Sequence, residues 1–441
     1  MSGTFPANPL AGIFSEEGRL ERYLAFEIEL AEVEAGLGLI PEEAAKEIVR
    51  VATLETIDTE KLNADTERTG YPIAPMVRQL TAACRDDLGQ FVHWGSTTQD
   101  VMDTAMVMQI RDALVHIESE LKLLARDLGD LAERHRDTLM VARTFGGYAL
   151  PFTFGAKAAR WLASICRHIE RLEQLRPRVL VGEFGGAVGT LASFGEHGAE
   201  VRKRLLARLE LAEPIAVWHA ARDTVSETAC FLGLVTATLG KIGHDVATLC
   251  ASDVGEVFEP VSGGRDASST LPQKRNPVYS GRVVANARVV ANHVSLVLDA
   301  ARQDHERGPQ GFIEKMIIPE IFILTGETLA TTRHIAAGLR VDEERMRANL
   351  EASGGVIMAE AATMALSPYL GRLKAKDLVH DACERVDAET TDLASVLASI
   401  PQVAEHLGGE ALARTMDPSN YLGTVGEEVD QVVARAREIA G

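Results

Sequence analysis

The sequence predicts an all-α fold, and three observations carry that prediction. Apolar residues recur at alternating spacings of three and four through Val107, Ile110, Leu114, Ile117, Leu121, Leu124, Leu128 and Leu131, which sets them on one face of a long amphipathic helix. Two further stretches, Ala229 to Leu249 and Val283 to Ala300, are apolar nearly all round, as expected of helices surrounded by other helices. Strand signals are weak, with 5% aromatic residues and little period-two alternation outside Arg178 to Val181.

The elements follow in order. The helix through Val107 is a bundle member, and Leu162, Ile165, Ile169 and Leu172 repeat its pattern with Arg and Glu outward. The two all-apolar helices form the centre of the bundle, and covering them takes more surface than one chain supplies, so an oligomer is expected. Gly and Pro gather at Arg143–Pro151, Gly182–Gly198, Gly255–Pro277 and Gly308–Pro319. These are read as four long irregular segments, a length of connection that is usually functional. Punctuation near Asp103 and at Ser353-Gly354-Gly355 divides the chain into an N-terminal helical domain (1–103), a central helical bundle (104–353) and a C-terminal helical domain (354–441).

Composition narrows the function classes. A chain of 441 residues, 46% hydrophobic, buries a large core. A formal charge of −19 with no basic block argues against nucleic acid or an anionic membrane as the main partner. Five dispersed cysteines without a CxxC pair indicate neither a disulfide framework nor a zinc site. The N-terminus lacks a basic region followed by an apolar one, and the longest uncharged apolar run, Thr228 to Gly240, is well short of the ~20 residues that cross a bilayer. A cytoplasmic, non-membrane protein is the expectation.

Several polar segments could carry chemistry. Gly255 to Pro277 holds Ser268, Ser269, Lys274 and Asn276. A serine in a glycine-bearing loop has backbone N–H groups around it, and a nearby Lys lowers the cost of an alkoxide; an ordinary polar loop has the same composition. His93-Trp94-Gly95-Ser96-Thr97-Thr98-Gln99-Asp100 precedes the long helix, whose dipole and adjacent hydroxyls could hold a carboxylate or serve only as a cap. Arg143-Thr144-Phe145-Gly146-Gly147-Tyr148 offers a cation and a phenol. His219 with Arg222-Asp223, and His305-Glu306-Arg307, are charged clusters without HExxH spacing, which disfavours zinc. Gly185-Gly186-Ala187-Val188-Gly189 resembles a nucleotide loop only superficially, because no strand precedes it.

In this order the segments resemble the fumarase/aspartase superfamily, whose signature reads Gly-Ser-Ser-x-Met-Pro-x-Lys-x-Asn-Pro. Ala267-Ser268-Ser269-Thr270-Leu271-Pro272-Gln273-Lys274-Arg275-Asn276-Pro277 matches it, with Ala for Gly and Leu for Met. Val92 to Thr104, Trp218 to Asp223, Val254 to Pro260 and His305 to Arg307 are most similar to the 3-carboxy-cis,cis-muconate cycloisomerase branch. Gly281 stands where many fumarate-releasing relatives carry Glu.

The resemblance implies a cytoplasmic homotetramer with active sites shared between subunits, no metal and no organic cofactor. It implies a small polycarboxylate substrate and a cycloisomerase of aromatic catabolism, the β-ketoadipate pathway. Ser268 is then the proton-transfer residue at carbon, Lys274 and Asn276 hold a carboxylate, and Thr97 and Thr98 bind the same or a second one. Ser96, Arg143, Thr144, His219, Ser269 and Arg307 complete the expected substrate contacts. The superfamily's acid/base segment is altered: Phe145 replaces a His or Trp, and Tyr148 stands where cycloisomerases carry His. Tyr148 is therefore the candidate acid partner. The alternative activity is a lyase that releases fumarate from an N- or nitro-substituted succinate, as adenylosuccinate lyase does, and a non-catalytic structural protein on this scaffold is the alternative outside enzymes.

Overall fold

A computed structural model describes residues 8–260, 271, 274–389 and 391–440. The chain is overwhelmingly helical. Five long helices dominate it: α1 (Thr98–Arg134), α2 (Phe154–Val179), α3 (Asp223–Leu249), α4 (Val278–Ala300) and α5 (Gly311–Gly338). The eight apolar positions that predict the first of these are each at most 2% exposed. α1 begins at Thr98, five residues before the expected start, because Asp100 accepts the Thr97 N–H and satisfies one of the end's orphan donors.

Residue contacts divide the chain into two compact units, 1–120 with 168–237 and 286–330, and 121–167 with 238–285 and 331–441. The first unit packs the Phe26, Phe184 and Phe194 rings in series and also buries Leu10, Leu30 and Leu114. In the second, Ala362, Leu366, Val379, Leu393, Leu397 and Val403 form a core of their own among short helices.

Three local expectations are corrected. Arg143–Pro151 is not irregular: strands β1 (Leu139–Thr144) and β2 (Gly147–Thr153) pair antiparallel. Phe145 and Gly146, at φ 52° and 85°, supply the two left-handed residues of a tight hairpin turn. The Gly pair and Pro151 read as loop signals, but Pro151 sits in a two-stranded ribbon, where a missing N–H is tolerated. Arg178 to Val181 is not a strand. Leu172, Leu175 and Val179 continue the helical face of α2 to its end, and Val181 makes only an isolated bridge to Ala212. The third correction shortens the irregular segment Gly308–Pro319, since α5 starts at Gly311 and contains Pro319.

The apolar run on α3 is also longer than its uncharged stretch suggests. By length and composition α3 is the one described helix able to span a bilayer, and 56% of its apolar window is buried inside the protein. Ala229, Leu232, Val235, Leu239 and Ile242 are inward, as in a core helix. Leu234 on α3 and Val289, Leu296 and Leu298 on α4 remain exposed on the single chain.

One buried carboxyl yields a stability prediction. Glu27 and Glu34, seven residues apart on the helix Glu16–Gly36, are each 1% exposed, and neither oxygen of Glu34 has a hydrogen-bond partner. Burial, reinforced by the charge of Glu27, pushes the Glu34 carboxyl up to about 9. The native state then holds a proton that the unfolded chain releases near the ordinary value of 4.5, so stability is lost as pH rises from there toward 9. Glu34→Gln is expected to be more stable than wild type by on the order of 1–3 kcal/mol at pH 8, with the gap closing at pH 4. Urea unfolding at both pH values measures this; a gap independent of pH contradicts it.

Candidate active site

The first unit gathers Thr97, Thr98, His219 and Arg307 around a cavity of about 190 Å³. The backbone is built for it. His93 and Gly95 adopt left-handed φ values of 62° and 69°, and a Cβ on Gly95 would meet the Phe194 ring at 2.4 Å. Glu27 accepts from the His93 ring at 2.7 Å, fixing the loop's near end.

Asp100, fully buried, fixes its far end. Its carboxylate accepts the N–H groups of Thr97, Gly185 and Gly186 and faces His219 Nε2 at 2.9 Å. The glycine loop thus holds a carboxylate of the protein itself. Its Ala187 carbonyl also accepts from Arg307, whose other Nη reaches Thr97 Oγ1 at 3.4 Å. Burial pulls the His219 imidazole toward the neutral form, but Asp100 and Glu183 outweigh it and hold its pKa above the ordinary value.

Among the described residues, ligand atoms of Asp100, Glu183 and His219 come within 4.8 Å of one another. Backbone N–H groups already occupy both Asp100 oxygens and one Glu183 oxygen. Burial, partly offset by His219 and the Trp218 N–H, raises Glu183 to about 7. The arrangement clamps an imidazole between two carboxylates.

Part of the cavity wall is an ion cluster that spacing does not reveal. Arg222, 2% exposed, donates to Asp103 and to Glu314, both at most 1% exposed. Gln99 bridges Asp103 and the His219 carbonyl. Lys315 also lines the cavity. Ser96 is not among the lining residues, and its hydroxyl is buried without a hydrogen-bond partner.

In the second unit, Arg143 on β1 makes a two-pronged contact with the Glu256 carboxylate at 2.6 and 2.9 Å. Glu256 is fully buried and also accepts from Asn349. The Arg143 guanidinium lies 5.2 Å from the Tyr148 ring centroid, so the hairpin displays a half-exposed phenol on a cation anchored from below. Thr144 pairs with Gly147 at the turn. Asn276 lines a separate cavity of about 320 Å³ with Glu259 and Arg340. Glu259 accepts the N–H groups of Tyr279 and Ser280 and caps α4. The Lys274 N–H donates to the Leu271 carbonyl. Ser268 and Ser269 lie outside the described residues.

Residues 2–291 match the family model described as lyase, and residues 355–432 match the adenylosuccinate lyase C-terminus. The structure of 3-carboxy-cis,cis-muconate lactonizing enzyme from Pseudomonas putida superposes with a TM-score of 0.93 at 39% identity, covering 99% of this chain and 98% of that one. Trans-aconitate decarboxylase 1 of Mycosarcoma maydis is 39% identical over 99% of this chain and 88% of its own. An N-acetyl-S-(2-succino)cysteine lyase of Dickeya dadantii is 35% identical over 99% and 96%. With that coverage and fold, the chain belongs to the fumarase/aspartase superfamily and is an enzyme of its lyase and cycloisomerase kind.

Proposed function

We propose that the enzyme lactonises 3-carboxy-cis,cis-muconate or a closely related tricarboxylate diene, by reversible anti addition and β-elimination at the carbon next to a carboxylate. The observation that carries this reading is the cationic, hydroxyl-lined cavity of Thr97, Thr98 and Arg307 in a chain so similar to a muconate lactonizing enzyme. The compounds named for the three relatives above each contain three carboxylates, which supports a polycarboxylate substrate whatever the bond broken.

The chemistry explains the residues. The substrate's own carboxylate adds to the double bond, and the carbanion that results is an aci-carboxylate with two negative charges. Preorganised cations and N–H donors must already be in place for it, and one such donor is worth about 3 kcal/mol in comparable sites. Ser268 delivers the proton to carbon, and Lys274 and Asn276 hold the adjoining carboxylate, with Ser269 beside them. Thr97, Thr98 and Arg307 receive another carboxylate, with Ser96 and His219 supporting them. Tyr148 is the acid partner. Arg143 and Thr144 present it from the hairpin.

The exposed Leu234 of α3 and Val289, Leu296 and Leu298 of α4 support a homotetramer; the likeness to a muconate lactonizing enzyme supports shared active sites and a cytoplasmic role in aromatic catabolism, and the superfamily chemistry needs no metal or cofactor. A second reading, release of fumarate from a substituted succinate, draws support from the likeness to the succinocysteine lyase. A substrate panel separates them: 3-carboxymuconate, adenylosuccinate, a nitrosuccinate and N-acetyl-S-(2-succino)cysteine. Loss of diene absorbance without fumarate is the expected result; fumarate release from a succinate, with the diene untouched, overturns the lactonase reading.

A further inference from the structure

We propose that Glu183 is a positioning residue that holds His219 as the imidazolium, and that the Nδ1–H of this imidazolium binds a substrate carboxylate in the first unit's cavity. The carboxylate contact rests on the polycarboxylate reading above; the role of Glu183 does not. The acceptors around the ring fix its tautomer. Nε2 lies 2.9 Å from Asp100 Oδ1 and 3.8 Å from Glu183 Oε1. Three backbone N–H groups, of Thr97, Gly185 and Gly186, already point at the Asp100 carboxylate. It therefore meets the ring as an acceptor, and Nε2 carries a hydrogen. Nδ1 has no hydrogen-bond partner among the described residues, and His219, only 4% exposed, lines the cavity. In a neutral ring Nδ1 is a lone pair, which repels an incoming carboxylate; in the imidazolium it is a donor.

Charge decides between the two forms. Glu183 is fully buried; its Oε2 accepts the Trp218 N–H, and its Oε1 has no hydrogen-bond partner. That unspent oxygen is the one facing Nε2, too far for a hydrogen bond but close enough for its charge to act on the ring. The remaining charges nearby are matched among themselves. Asp103 and Glu314 stand against Arg222 and Lys315, and His93 is paired with Glu27. Asp100 and Glu183 are then the two negative charges that balance His219 and Arg307. Burial pulls the ring toward the neutral form and Arg307 adds to that, while Asp100 and Glu183 favour the imidazolium. An uncharged residue at 183 leaves the set one negative charge short, and the ring gives up its Nδ1 proton more readily.

Exchange of the His219 Cε1 hydrogen for deuterium, read peptide by peptide by mass spectrometry across a pH series, follows the titration of this ring in the intact enzyme. The two groups titrate as a coupled pair, so the midpoint of the ring itself is compared between variants. Glu183→Gln is expected to move that midpoint down by roughly one pH unit, and Glu183→Asp to restore most of it. In titration calorimetry the wild-type affinity for tricarballylate, a saturated tricarboxylate, is expected to fall as pH rises through the midpoint, where the Nδ1–H is lost. The fall is expected at correspondingly lower pH in Glu183→Gln. An unshifted midpoint in Glu183→Gln overturns the role of Glu183 whichever substrate the enzyme takes. Tricarballylate that fails to bind, or binds without regard to the His219 titration, overturns the carboxylate contact. Should Glu183→Gln fail to fold, wild type decides: bound tricarballylate is expected to raise the His219 midpoint, and an unmoved one contradicts the proposal. No readout needs turnover, so a failure of the lactonase reading in the substrate panel leaves this test standing.

Discussion

Replacing Ser268 by alanine is expected to lower kcat by about 10²–10⁴-fold, the usual contribution of a proton-transfer group, while the affinity for tricarballylate stays within about twofold of wild type. The argument is chemical. An alkoxide or hydroxyl placed at carbon acts only in the transition state, so its removal leaves ground-state binding to the cations and hydroxyls that hold the carboxylates. In the proposed mechanism Lys274, six residues on, supplies the charge that makes a serine competent for this work. A Lys274→Met variant should lose binding as well as rate, which separates the two roles. A Ser268→Ala enzyme with near-wild-type kcat would remove serine from the mechanism.

The second large effect is on stability. Arg222→Met is expected to destabilise the enzyme by about 3–5 kcal/mol, the cost of leaving buried charge uncompensated. Asp103 and Glu314 share this one guanidinium as their ion-pair partner, and both are at most 1% exposed. Arg222 itself holds its proton more tightly than a free arginine: burial works against the charge, but the two carboxylates more than offset it. Burial pushes Glu314 upward despite Arg222, so with the arginine gone that carboxyl is expected to take up a proton. Adding Glu314→Gln to Arg222→Met should therefore recover part of the loss, a coupling that urea unfolding of the single and double variants measures. A loss below about 1 kcal/mol would show that the cluster contributes little.

How much of this was legible in the sequence depends on the range over which each feature is encoded. The register of α1 is written in the local spacing from Val107 to Leu131, and the fold class follows from it. The hairpin was missed because Phe145-Gly146-Gly147 carries a turn signal without the flanking alternation that marks strands; Pro151 weakened that alternation further. Thr97, Thr98, His219 and Arg307 were legible as polar knots at loop–helix junctions, and the structure brings these four to one cavity. Asp100 looked like a capping residue, and it is one; that it also holds His219 and the glycine loop depends on contacts 85 and 119 residues away. Lys315 gave no signal at all. A single lysine in an apolar helix is indistinguishable from a solvated one until the helix is packed against Met102 and the cavity.

Proton delivery to carbon is the centre of the account, and solvent isotope reports it directly. Turnover of 3-carboxy-cis,cis-muconate in D₂O, followed by NMR of the lactone, is predicted to show one deuterium, on one face of the carbon next to the carboxylate, with the rate of incorporation collapsing in Ser268→Ala. A lactone without deuterium at that carbon, or no conversion of the diene by the wild-type enzyme, would contradict it.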